Sequence, residues 1–122
     1  MEIFGYRNLI AYQKAKEVVK HTYKLLKKFP AEERYAMSDQ LRRASVSITS
    51  NIAEGINRYS VKDKSHFIEM SYGSLMEVSS QFEIAEELGY ITVEERLSMD
   101  QLIEEVARLL SGLQKTFKTS NS

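Results

Sequence analysis

Cysteine is absent from the 122-residue chain, which excludes disulfides, thiolate metal sites and cysteine nucleophiles. Proline occurs once and glycine five times. That is too little punctuation for a turn-rich β fold, so long helices are expected. No window approaches the ~20 apolar residues that a membrane-spanning helix needs. The opening Met-Glu-Ile-Phe-Gly-Tyr-Arg lacks the basic flank and apolar run of a secretory signal. A cytoplasmic location with no membrane partner is therefore expected. An excess of one charge is missing too. The 17 Lys/Arg balance 17 Asp/Glu, whereas nucleic-acid binders usually carry a basic surplus.

What is present is ordinary for a soluble globular chain: 43% apolar and 28% charged residues. The length suits one domain that hides roughly two-thirds of its unfolded surface. The charges are unevenly placed. Residues 1–34 hold eight Lys/Arg against four Glu, and residues 83–105 hold eight Asp/Glu against Arg96 alone. The two regions are either complementary surfaces, meeting within or between chains, or ordinary solvated faces.

Periodicity predicts four helices, over about 8–29, 37–57, 61–88 and 93–117. In the first, Ala11, Ala15, Val18, Val19, Thr22, Leu25, Leu26 and Phe29 share one face and Lys16, Lys20, Lys24 and Lys27 the other. Asn8 is its expected N-cap, and Pro30 stops it. The second helix places Leu41, Ala44, Ser45, Ile48, Ile52 and Gly55 on one seam. Val46, Thr49, Ala53 and Ile56 form a second.

Ser60-Val-Lys-Asp63 opens the third helix as a capping box with Asp replacing Glu. Its core seam reads Phe67, Met70, Ser71, Ser74, Val78, Gln81, Phe82, Ala85 and Leu88, with Ile68, Tyr72, Leu75, Met76 and Ser79 as a flanking strip. Ser71, Gly73 and Ser74 are expected to permit close helix approach. Gly89 ends this helix, and Thr92-Val-Glu-Glu95 caps the fourth. Met99, Leu102, Ile103, Val106, Leu109, Leu110, Leu113 and Phe117 then give one clean face, and residues from Lys118 onward are expected to fray. Short connections make this an all-α, antiparallel up-down-up-down four-helix bundle, a single domain over 1–122.

Helices one and four are one-sided, whereas two and three carry extra apolar strips. Soluble proteins rarely leave such patches bare, so a homo-oligomer is expected. Its candidate interface is Val46, Thr49, Ala53, Ile56, Ile68, Tyr72, Leu75 and Met76. The alternative is that packing within the bundle covers both strips.

Catalytic signals are poor. His21 falls among lysines, and His66 stands one turn from Glu69 without the second ligand pair a di-iron bundle needs. Ser45, Ser47, Ser50 and Asn51 have no neighbouring histidine to act as base, and read better as small residues at helix contacts. The glycines form no phosphate-cradling loop. No enzyme activity, metal, cofactor or small-molecule substrate is expected. For nucleic acid, the candidates are Arg42, Arg43, Arg58, Lys62 and Lys64, with Tyr59 and Tyr72 available for stacking. The competing reading pairs these arginines with Asp39, Glu54 and Glu77.

Five motifs stand in order: Phe29-Pro-Ala-Glu-Glu-Arg-Tyr35, Asp39-Gln-Leu-Arg-Arg-Ala44, Ser50-Asn-Ile-Ala-Glu-Gly55, Gly73-Ser-Leu-Met-Glu77 and Glu87-Leu-Gly-Tyr-Ile91. Over about residues 4–115 the chain resembles the four-helix-bundle proteins encoded in intervening sequences of 23S rRNA genes, often labelled as a ribosomal protein. A related branch is similar to the accessory variability protein of diversity-generating retroelements. The resemblance implies a four-helix bundle. Through that branch it also implies a homo-pentamer, with RNA or an RNA-handling protein as partner. Thr49 stands where the family often has proline, and the neutral net charge departs from the basic character of the retroelement branch.

Overall fold

The structure, a computed structural model, describes residues 3–120. Four helices make up the body: α1 (Ile10–Leu26), α2 (Met37–Ile56), α3 (Val61–Glu87) and α4 (Val93–Ser120). Short 3-10 turns, Gly5–Asn8 and Ala31–Glu33, precede α1 and α2.

The helix ends follow local chemistry. Ser60 Oγ accepts a hydrogen bond from the Asp63 backbone N–H at 3.0 Å, opening α3. At α4 both halves of the capping box form: Glu95 N–H donates to Thr92 Oγ1 and Thr92 N–H donates to Glu95 Oε1. Gly89 takes φ +81°. Tyr90 N–H then reaches Ala85 O while Gly89 N–H reaches Glu86 O, the two bonds of a Schellman ending. Asn8 is not a cap; it closes the first 3-10 turn, and Leu9 occupies the cap position without a side-chain bond. α1 stops at Leu26, earlier than the apolar spacing implied, because the chain turns out before the extended Pro30. The helical geometry of α4 extends past the expected end at 117. α4 continues to Ser120, and Asn121 and Ser122 lie outside the described residues.

Neighbouring helices run antiparallel. Across α2 and α3, Ser47 meets Ser74, Ile48 meets Ser71 and Gly55 meets Phe67. Across α1 and α4, Lys14 meets Glu105 and Lys28 meets Glu95. Across α3 and α4, Ser65 meets Gln114 and Glu86 meets Arg96. Each helix packs on two neighbours, and the diagonal pairs α1/α3 and α2/α4 make no close approach among the described residues. The result is a square bundle whose core includes Val18, Leu41, Ile48, Ile52, Ile68, Leu75, Phe82, Met99, Val106 and Leu110. One end is closed by the rings of Phe29, Phe82 and Tyr90, with Tyr90 Oη donating to Glu33 Oε2 at 2.8 Å.

α3 corrects the two-strip reading. Its buried residues are Ile68, Ser71, Leu75, Val78, Phe82 and Ala85, spaced alternately three and four apart. This seam runs between the two strips that the sequence suggested. Ile68 and Leu75, expected at a subunit interface, are 1% and 0% exposed and belong to the chain's own core. Each contributes about 1.5–3 kcal/mol there. Met70 and Leu88, expected inside, are exposed rim residues.

Candidate functional site

The Leu41–Arg58 stretch is the polar-rich heart of the sequence, and its structure explains most of that polarity. On α2, Ser45 and Thr49 bond back to Arg42 O and Val46 O, satisfying hydroxyls that burial would otherwise strand. Asn51, itself buried, donates through Nδ2 to Ser47 O at 2.9 Å and Ser47 Oγ at 3.0 Å. Ser47 Oγ accepts from Ser74 Oγ of α3, and Ser71 Oγ donates to Ile48 O at 2.8 Å. These groups zip α2 to α3. They are positioned for helix contact.

Gly55 completes the zipper. An added Cβ would stand 2.9 Å from Phe67 Cβ and 3.3 Å from Lys64 O, so only glycine admits the start of α3 so close. Gly73 plays no such part. It is exposed and its Cβ position is open, which corrects the expectation that it eases helix approach.

The basic candidates fall into two groups at opposite ends of α2. Arg43 and Arg58 are 15 residues apart, about 22 Å along a helix. Arg43 Nε lies 3.1 Å from Asp39, and Arg42 Nη2 lies 3.7 Å from the same carboxylate while donating to Arg34 O. Arg58 pairs with Glu54 at 3.5 Å and stacks over the Phe67 ring at 4.5 Å. Lys64 Nζ donates to Ile56 O at 2.9 Å, satisfying a carbonyl at the end of α2. Lys62 alone of the five is exposed with no ion pair among the described residues. Tyr59 is exposed on the turn, in a cleft with Glu54, Arg58 and Asp63. Asp39 and Glu54, foreseen as partners, are the acids used; Glu77 instead accepts from Gln81.

The interface candidates divide by exposure. Val46, Tyr72 and Met76 stay open to solvent at 39–41%, Ala53 and Ile56 are half-buried, and Thr49 is buried. Along the outside of α2 runs a shallow 670 Å³ groove floored by Val46, Ser47 and Ser50 and walled by Tyr23 of α1 and Met70 of α3. Neither wall residue stood out in the sequence. Tyr23 sits outside the apolar face of α1, and the periodicity of α3 places Met70 in the core seam. A second groove of 270 Å³ between α3 and α4 contains Glu69, Tyr72, Ser111 and Gln114.

The histidines do not converge. Burial pushes the His21 imidazole below its ordinary value, and Lys24 lowers it further against an opposing Glu95. His66 packs edge-on to Phe67. Among the described residues no three His, Cys, Asp or Glu side chains are grouped to hold a metal, and no helix is long and apolar enough to cross a membrane.

The 23S rRNA-intervening sequence protein family model matches residues 7–112, nearly the whole bundle from the first turn into α4. The chain belongs to this family. A solved protein of unknown function from the S23 ribosomal protein family of Bacteroides thetaiotaomicron VPI-5482 is similar at 25% identity. Its TM-score is 0.79, and the match covers 87% of this chain and 99% of that chain. No curated protein matches the chain significantly. Membership extends over the polar zipper and Gly55, and thus over the features that set how α2 meets α3.

Proposed function

We propose that this family member is a non-enzymatic helical scaffold that works as a homo-oligomer. One observation carries the reading. Val46, Met70, Tyr72 and Met76 stay 39–44% exposed although the bundle is closed, with every helix already packed on two neighbours. Nothing else in the described chain is placed to cover them: Val46 and Met70 border the groove outside α2 and Tyr72 the groove between α3 and α4, and exposed apolar surface of this kind marks association. The hydroxyls and amide of the α2 motif support a structural role, because they bond within and between helices. In this reading any RNA or RNA-handling partner is recruited by the assembled surface. Arg42, Arg43, Arg58 and Lys64 are engaged within the chain.

The test is sedimentation velocity on the unmodified protein and on a Tyr72→Lys, Met76→Glu double variant, with circular dichroism to verify helicity. An oligomer that the double variant converts to folded monomer supports the proposal. An unmodified protein that is monomeric at every concentration refutes it.

A further inference from the structure

Part of the basic N-terminal region meets the acidic one within the chain, through Lys14–Glu105 and Lys28–Glu95, but the outward rows of α1 and α3 cannot. α1 and α3 occupy opposite corners of the bundle. Lys16, Lys20, Lys24 and Lys27 are all exposed on the outward side of α1, within an arc of about 80°. The ion pairs of this helix lie elsewhere: Lys14 binds Glu17 and Glu105, and Lys28 binds Glu95. Among the described residues the outward row forms no ion pair; Glu17, which lies beside Lys20 and Lys24, is paired with Lys14.

α3 presents the reverse. Glu69, Glu77, Glu83 and Glu87 are exposed on its outward side and form no ion pair among the described residues. The lysine row spans about 16 Å, and Glu77 to Glu87 about 15 Å. Each row also borders exposed apolar side chains on its own helix: Tyr23 beside the lysines, Met76 and Ile84 among the glutamates. Opposite charge of matching length, with apolar contact available on both sides, specifies a partner surface.

We propose that the α1 lysine face of one copy docks on the α3 glutamate face of a second copy. This rests on the self-association proposed above and names the surfaces that carry it. Because the two faces differ and lie on opposite corners, the contact is heterologous. It leaves a free lysine face and a free glutamate face at each end, and propagates until a ring closes or a filament forms. Zero net charge favours a copy of the chain over RNA as the occupant, since the matching negative surface is built into the same molecule.

The test uses two triple variants, Lys20→Glu/Lys24→Glu/Lys27→Glu and Glu77→Lys/Glu83→Lys/Glu87→Lys, in sedimentation velocity beside the unmodified protein. Each variant alone should lose assembly, and an equimolar mixture should regain association into species heavier than one chain, because the reversed faces are complementary between variants. Strict alternation closes only rings of even number, so the mixed species need not match the unmodified one in size. Assembly that persists in either variant alone, or that mixing does not restore, overturns this pairing while leaving self-association standing. An unmodified protein that never assembles overturns both. A lysine variant that still assembles but loses retention of structured RNA assigns the row to RNA and overturns the pairing. Salt gives a check that needs no variant. Raising it from about 0.1 M to about 1 M shortens the Debye length from about 10 Å to about 3 Å. Three or four screened pairs should then weaken assembly roughly tenfold or more, and unchanged or tighter assembly contradicts the proposal.

Discussion

Gly55 lies so close beneath Phe67 that a methyl group on it would stand 2.9 Å from Phe67 Cβ. The obstructing atom is fixed to the α3 backbone, so relief requires the two helices to part. Gly55→Ala gains up to about 1 kcal/mol of helix propensity but incurs overpacking of about 1–3 kcal/mol. We expect a net loss of roughly 1 kcal/mol or more, seen as a lower midpoint in urea denaturation. Gly73→Ala is the control. Its Cβ position is open on an exposed helix surface, so it should raise stability by about 0.5–1 kcal/mol.

Ser71 tests the polar zipper. It is fully buried and donates to Ile48 O at 2.8 Å. Ser71→Ala should lose about 0.5–1.5 kcal/mol, the ordinary net value of one hydrogen bond. Ser71→Leu should lose more, because the added volume separates α2 from α3. Equal losses in thermal or urea melts would show that the seam is not closely packed there.

The arginines of α2 should separate into two classes. Arg58→Ala removes both the Glu54 pair and the stacking on Phe67, with an expected loss of about 0.5–1 kcal/mol. Arg43→Ala removes only an exposed pair with Asp39 and should stay within about 0.5 kcal/mol. A larger loss at Arg43 than at Arg58 would reverse the structural ranking.

Glu95 predicts the acid limb of stability. The Lys28 ammonium, which donates to its carboxylate, and the Thr92 backbone N–H hold it below the usual carboxylate value. A depressed folded-state value stabilises above the unfolded value of about 4.3, and that contribution disappears as pH falls through the folded value. Glu95→Gln should therefore destabilise at neutral pH and flatten the decline below about pH 4.5. Melting temperatures of both proteins across that range check it. Parallel declines would remove Glu95 from the account.

The fold was legible because its signals are local. Pro30, Ser60, Gly89 and the Thr92/Glu95 box mark boundaries through backbone geometry that needs no tertiary context. Asn8 failed as a cap because the preceding residues form a 3-10 turn that competes for it. The α3 apolar arc is wide enough that a single sequence permits two seams or one centred between them. The register against α2, fixed by Ser71 and Ser74, decides for one. The same register turned Ile68 and Leu75 from interface candidates into core and left Tyr72 and Met76 outside. The arginine partners Asp39 and Glu54 were legible from their spacing of four on a helix. Lys64 capping the end of α2 was not, because it reaches back across a turn whose path the sequence does not specify.

In the proposed assembly, the closed four-helix bundle with its exposed Val46, Met70, Tyr72 and Met76 is one subunit among several. Sedimentation velocity of the unmodified chain, over about a hundredfold range of concentration, is the decisive experiment. The expected result is a species heavier than one chain that dissociates on dilution. A single boundary with the mass of one chain at every concentration would contradict it.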